Sequence, residues 1–327
     1  MNGSDMCKNC CALFMSFLFI CANFAGFFNS LCLDNFSIAA EDCAKLFFCT
    51  SADNRHFPLL LNLIGSIHKL HDEDLGEIAI FDLGFDAQQR NRLCTIEKVQ
   101  IYDVELTHPD LLKHLPRFIG ATAKVRGLYA WKPVAIKQAL DMFPYIMYLD
   151  AGIILRRPFN DVFKHIKQHG YFFVDCGGNI LCMTTKYLID KFDLTSSERC
   201  WILDEDMWGL SGGFQGLTRA MYDCYVLPMY ELSKDLKNFI DDGSAAGGRG
   251  KGRHDQALFS ILARLQGLTV SPREGGAFLD IDGNKIPFRA AERYHEKDTE
   301  SYIVIARWQR VPDYSQYIRY KPGPLDC

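Results

Sequence analysis

The sequence predicts an α/β fold: a mostly parallel central sheet flanked by helices. Three observations predict it. Short apolar runs of strand length alternate with helical stretches from residue 45 to residue 155. Those runs are apolar almost throughout, the pattern of strands buried on both faces rather than one. Finally, 48% of the 327 residues are hydrophobic, which supplies one large core and excludes a disordered or collagen-like chain.

The elements follow in order. Residues 45–52 (KLFFCTSA) form a buried strand that ends in small polar residues, and 57–70 carry apolar side chains at helical spacing. A second strand covers 76–83, a short polar helix 87–93 and a third strand 99–104. Residues 122–142 read as helical, with Pro133 at an internal turn or a fresh helix start. A fourth strand, 145–155 (YIMYLDAGIIL), is interrupted by Asp-Ala-Gly. This β-α-β-α order places a parallel sheet between helical layers. The second half is less regular. Residues 171–175 read as a strand, 179–191 as a strand and then a helix, and 204–216 as a loop rich in carboxylates and glycine. Helices are expected over 217–222, 228–240 and 255–265, and a hairpin over 278–288 turning at Asp282-Gly283-Asn284. Residues 241–253 (DDGSAAGGRGKGR) read as a flexible loop. They form either a mobile lid carrying Arg249, Lys251 and Arg253 or a plain connector. The phosphate-loop pattern fails there, because Ala245 and Gly252 stand at its first glycine and its Ser/Thr position.

Residues 11–33 contain no charge and follow Lys8, a length that suits a membrane-spanning helix or a long secretory signal. The chain is therefore expected to be membrane-associated through a signal-anchor, or exported, with a linker over 34–44. The folded domain then runs over 45–327, with a nucleotide-binding half (45–160) and an acceptor-side half (161–327). Of 13 cysteines, seven lie at or before Cys49. Most of the later ones are expected to be reduced in the core, with a Cys176–Cys182 disulfide left open. The Cys7/Cys10 pair has no second pair to complete a zinc site. A net charge of −4 provides no global field for nucleic acid.

The sharpest chemical feature is Tyr148-Leu149-Asp150-Ala151-Gly152. One carboxylate caps an otherwise apolar strand, and ligands of open α/β sheets bind beyond strand carboxyl ends. An ionised Asp150 needs a partner there: a divalent metal carrying a diphosphate, or merely Arg156 or Arg157 or the next turn. At the first strand's end, Thr50, Ser51, Asp53 and Arg55 offer hydrogen bonds and a cation to a ligand, and Ser51 or Asp53 could equally cap a helix. Lys124, Arg126 and Lys132 are expected on one helical stretch, facing either an anion or solvent; Lys132 is set between Trp131 and Pro133. Asp204-Glu205-Asp206 leads into Gly212-Gly213-Phe214-Gln215, where glycines admit a ligand and a carboxylate could serve as a base, or where an acidic turn simply meets a hinge. His254-Asp255-Gln256 opens a helix, with Asp255 either a cap or a site residue. His295 is either a late metal or phosphate ligand or a structural histidine.

The YLDAG motif after a helix bearing Ala130-Trp131-Lys132-Pro133 resembles the GT-A (Rossmann-like) nucleotide-diphospho-sugar transferases, over residues 45 to about 309. The resemblance implies a single catalytic domain moving a sugar from a nucleoside diphosphate sugar to a glycan, lipid or protein hydroxyl. It implies donor contacts from Thr50, Ser51, Asp53, Arg55, Lys132, Asp150 and Gly152. On the acceptor side it implies Glu205, Gly213, Gln215 and His254, with Asp206 or Asp255 as a base. It also implies a manganese or magnesium ion at Asp150, with His295 as a further ligand. The sequence departs from the family's Asp-x-Asp at one place, where Gly152 replaces the second carboxylate. That departure keeps two other readings open, a non-catalytic carbohydrate-binding protein and a nucleotidyltransferase, although the 48–55 turn has no glycine for the latter's phosphate loop.

Overall fold

The computed structural model describes residues 45–273, 276–279, 284–293, 295–306, 309 and 311–322, all within one compact unit. The apolar segment 1–33, the linker 34–44 and the hairpin tip at 280–283 lie outside them. Among the described residues no helix is long and apolar enough to cross a membrane.

Strand β1 (Leu46–Ala52) is followed by α1 (Phe57–His71), β2 (Leu75–Asp82), α2 (Ala87–Cys94) and β3 (Val99–Asp103). These match the expected elements, because local signals suffice for them. A proline sits in the first turn of α1, where its missing N–H costs nothing. Asp86 and Gln89 form a reciprocal capping box at the start of α2.

The expected helix over 122–142 is divided. Strands β4 (His114–Pro116) and β5 (Lys124–Arg126) pair antiparallel, and α3 begins only at Trp131 and ends at Met142. Between them Gly127, Leu128 and Tyr129 have φ of 50°, 52° and 67°. No right-handed helix runs through three left-handed residues, so Lys124 and Arg126 share no helical face with Lys132.

Strands β6 (Tyr145–Leu149) and β7 (Ile153–Leu155) flank Asp150-Ala151-Gly152, then come α4 (Asn160–His169) and β8 (Tyr171–Asn179). The strand expected at 179 onward is instead α5 (Ile180–Met183) and α6 (Lys186–Lys191), capped by the Asn179 and Thr185 side chains. After α7 (Ser196–Ile202), the expected glycine-rich loop is largely a strand, β9 (Trp208–Thr218), which also replaces the start of the helix expected over 217–222. The helix expected over 228–240 stops early: α8 (Leu227–Ser233) gives way to a turn capped by Asp235. Then come α9 (His254–Leu265), the hairpin β10 (Gly276–Leu279) and β11 (Lys285–Phe288), the short strands β12 (Ala290–Ala291) and β13 (Ile303–Ile305), and a 3-10 turn over Tyr314–Tyr317.

The central sheet runs β3-β2-β1-β6-β9-β8. The β3-β2, β2-β1 and β1-β6 pairs are parallel, and β9 runs antiparallel to both its neighbours. Both faces are buried, which is why the strands read as unbroken apolar runs. Tyr145, Met147 and Leu149 pack on one side with α1 and α4, and Ile146 and Tyr148 on the other with α3 and α9. The chain leaves β1 toward β2 on one side and returns through β6 on the other. The carboxyl ends of β1 and β6 therefore flank the crevice where open sheets of this kind take ligands.

Candidate active site

A cavity of about 260 Å³ opens at that crevice, lined among others by Arg117, Tyr129, Lys132, Asp150, Gly213, Arg253, His254, Asp255 and Arg273. Lys132, near the start of α3, reaches into it although the side chain is only 4% exposed. Its Nζ lies 3.1 Å from Asp150 Oδ1 and 2.7 Å from Asp255 Oδ2. The rings of Tyr129, Trp131 and Tyr148 surround the ammonium at 5.5–5.7 Å, a geometry in which ring faces favour a cation. Tyr148 donates its hydroxyl to Asp150 Oδ1 at 3.1 Å. Among the described residues the cation paired with Asp150 is thus Lys132, not Arg156 or Arg157. Arg156 donates to the Asp298 carbonyl and Arg157 lies over the Tyr302 ring.

Strand β9 makes room for both carboxylates. A Cβ on Gly213 would stand 2.5 Å from Asp150 Oδ2, and one on Gly212 would collide with Asp255 Oδ2. The Gly213 carbonyl accepts the Asp150 N–H at 2.9 Å. Glycine in a strand interior is unfavourable by propensity and is kept where another group approaches the backbone closely. Asp255 is no helix cap: α9 begins without a side-chain cap, and the carboxylate is buried against Lys132.

His254 opens α9 at φ 40°, and Tyr129, whose ring centroid is 5.5 Å away, has φ 67°. Two non-glycine residues held in the left-handed region at one cavity are strain that the surrounding packing must hold in place. The His254 Nδ1 donates to the Phe239 carbonyl at 2.6 Å, which leaves Nε2 as a buried acceptor without a partner among the described residues. Burial holds this imidazole below its usual value of about 6.5, in the neutral form.

The charge balance is specific. Lys132 is shared by Asp150 and Asp255, and Arg273 pairs with Glu292. Among the described residues the side chains of Arg117 and Arg253 have no partner. Arg253 is placed by the preceding loop, whose ends are fastened by Asp241: its two carboxylate oxygens accept the Gly243 and Gly252 N–H groups at 2.9 and 3.0 Å. Arg249 and Lys251 of that loop do not line the cavity; Arg249 donates to the Ile119 carbonyl.

The expected donor residues of β1 stand apart from this cavity. Asp53 Oδ1 accepts the Arg55 and His56 N–H groups, and Oδ2 lies 3.3 Å from Arg126 Nε. Burial alone would raise this carboxyl. The His56 hydrogen bond and charge, with Arg126, outweigh it and hold the group well below the usual carboxylate range. Arg55 is exposed, while Thr50 and Ser51 have buried hydroxyls without partners among the described residues. On the acceptor side, Glu205 and Asp206 sit on an exposed turn and do not line the cavity. Gln215 is fully buried in β9, accepting from Tyr225 at 3.1 Å. Gly152 is buried and contributes its carbonyl to the Ala306 N–H at 2.7 Å. His295 is exposed and does not line the cavity.

A divalent ion is implied by the Asp-x-Asp resemblance, and the residues present do not fit one. Asp150 is engaged by an ammonium and a phenol, Gly152 has no side-chain oxygen, and no group of three metal-ligating side chains occurs among the described residues. Cys176 and Cys182 are both free thiols, and Cys49 is the only buried cysteine among the described residues.

Arg117, Tyr129 and Arg273 carried no signal in the sequence analysis. Each is an isolated residue in an irregular stretch, and only the fold brings it to the crevice.

No protein-family model matches the chain, and no curated protein matches it in sequence. Solved glycosyltransferase structures are similar to it in fold. The galactosyltransferase LgtC is 12% identical with a TM-score of 0.42, over 85% of this chain and 88% of that one. Core-mannan synthase A from Aspergillus fumigatus, in its Mn/GDP form, is 13% identical with a TM-score of 0.44, over 71% and 72%. Mouse xyloside xylosyltransferase 1 is 13% identical with a TM-score of 0.42, over 69% and 84%.

Proposed function

We propose that the chain is a glycosyltransferase that moves a hexose from a nucleoside diphosphate sugar to an acceptor hydroxyl on a glycan, lipid or protein. One observation carries this reading. At the sheet's switch point, a cavity joins two carboxylates bridged by a buried lysine to two arginines that lack partners among the described residues. The surplus cations suit a diphosphate, and the carboxylates suit the positive charge that builds on an anomeric carbon as its bond to the diphosphate lengthens.

In the reaction, the bond between the anomeric carbon and the diphosphate oxygen breaks and its electron pair leaves with the diphosphate. The acceptor oxygen bonds to the anomeric carbon and gives up its proton, to the Asp255 carboxylate if the anomeric centre inverts or to the departing diphosphate if it is retained. Arg117 and Arg253 stabilise the charge that grows on the leaving group. Asp255 is favoured over Asp206 as the carboxylate near the reacting carbon, because it lines the cavity and Asp206 does not. The segment over 11–33 directs the chain to a membrane, where glycan and lipid acceptors are found; fractionation of the tagged full chain tests this, and a purely cytosolic protein would refute it.

The experiment is release of nucleoside diphosphate by the purified full chain from a panel of UDP-, GDP- and ADP-linked sugars. Release is expected from at least one diphosphate donor, falling about 10²-fold in Asp150→Asn and in Arg253→Gln. Release from none, with no binding, sinks the proposal. Binding without release, even with sugar acceptors added, supports a carbohydrate- or nucleotide-binding protein that has lost transfer, a reading to which Gly152 gives a specific basis.

A further inference from the structure

A nucleoside diphosphate carries several negative charges, and a dication bridging strand-end carboxylates is one way to balance them. Here that position is filled by protein. The Lys132 ammonium stands between Asp150 Oδ1 at 3.1 Å and Asp255 Oδ2 at 2.7 Å. The other Asp150 oxygen is packed against the backbone of β9 at Gly213. A dication would have to displace a buried ammonium. It would then sit among Arg117, Arg253 and Arg273, where like charges repel it strongly in a site partly closed to water. Among the described residues the cavity lining carries four cationic side chains and three carboxylates, Asp150, Asp255 and Glu292. Each of those carboxylates already has a protein cation. The positive surplus falls on Arg117 and Arg253, and guanidinium forks match phosphate oxygens two at a time.

We infer that this chain holds its diphosphate with Arg117, Arg253 and the Lys132 ammonium in place of a divalent metal, so that donor binding is independent of metal. The inference rests on the nucleoside diphosphate reading above and names the chemistry of that site.

Calorimetric titration of the full chain with UDP, GDP, ADP and CDP, once in EDTA and once in MnCl₂, tests it. The nucleotide that binds is expected to do so with a Kd equal within about threefold in both buffers. Arg117→Gln and Arg253→Gln are each expected to weaken it about tenfold or more in both. Binding that requires Mn²⁺ overturns the inference and leaves the nucleoside diphosphate reading standing. Absence of binding by every nucleotide in both buffers removes both.

A second measurement needs no nucleotide. The electron paramagnetic resonance signal of free Mn²⁺ is expected to persist in the presence of the native protein. Lys132→Ala, which leaves the Asp150 and Asp255 carboxylates facing one space, is expected to capture the ion and to gain Tm when Mn²⁺ is added. Stoichiometric capture by the native protein overturns the inference. So does a folded Lys132→Ala protein that binds Mn²⁺ no better than the native one. If that variant does not fold, the native signal and the arginine variants decide.

Discussion

Two carboxylates stand at the carboxyl ends of adjacent parallel strands, and the structure treats them differently. Asp53, just beyond β1, is enclosed: two backbone N–H groups, the His56 ring and the Arg126 guanidinium use up its oxygens. Asp150, just beyond β6, shares one buried ammonium with Asp255 and lines a cavity. Both acids are satisfied by a cation from the stretch between residues 124 and 132. Asp53 ties a loop to the sheet. Asp150 belongs to a charge network with one side open and with surplus cations close by. Burial and pairing alone therefore do not mark a site; the space beside the pair does.

The largest expected break in this comparison is Lys132→Met. It strands the buried Asp255 carboxylate and the half-buried Asp150 carboxylate at once and should cost about 3–5 kcal/mol, measured by urea unfolding. Arg126→Met, at a guanidinium that is 17% exposed and leaves Asp53 with its His56 and backbone donors, should cost about 1–2 kcal/mol. Equal losses at the two positions would remove the distinction. Next in size is Gly213→Ala, which sets a methyl 2.5 Å from Asp150 Oδ2 and should destabilise by about 1–3 kcal/mol while depressing nucleotide binding. The counterpart beside Asp53 is Gly84→Ala. There φ is 129° and the nearest atoms belong to the movable Arg126 side chain, so about 1–2 kcal/mol is expected from backbone strain, with catalysis retained.

The smallest effect shows only in acid. The folded-state value of Asp53 lies below its unfolded value of about 4, so its contribution is complete above that pH. It is lost as the pH falls through the lowered folded value, because the unfolded chain then binds the extra proton. Asp53→Asn should remove that part of the acid-unfolding limb and leave stability between pH 5 and 8 with no further slope. A limb unchanged by the substitution would show that Asp53 is not the titrating group.

The first half of the fold was legible because its signals are local. The 45–52 and 145–149 runs are apolar on both faces, and Asp86 with Gln89 mark a helix start within four residues. Strand β9 was not legible. Its four glycines oppose strand propensity, and they are present because Asp150, Asp255, Ile166 and Met183 press against the backbone from other elements. The helix expected through 122–142 failed for a related reason: Leu128 and Tyr129 have no local preference for a left-handed backbone, and only the surrounding fold holds them there.

The site divides in the same way. The sequence by itself singled out Asp150 as a strand-end acid, Lys132 as a lysine set between Trp131 and Pro133, and Asp255 as the acid opening a late helix, because each stands out against its immediate neighbours. Only the tertiary structure decided that one ammonium serves both acids, that Arg117 and Arg253 stand beside them without partners among the described residues, and that Asp206 and His295 lie outside the cavity. The physical reason is that whether a charge is compensated depends on groups within a few ångströms of it, and those groups come from segments far apart in the chain.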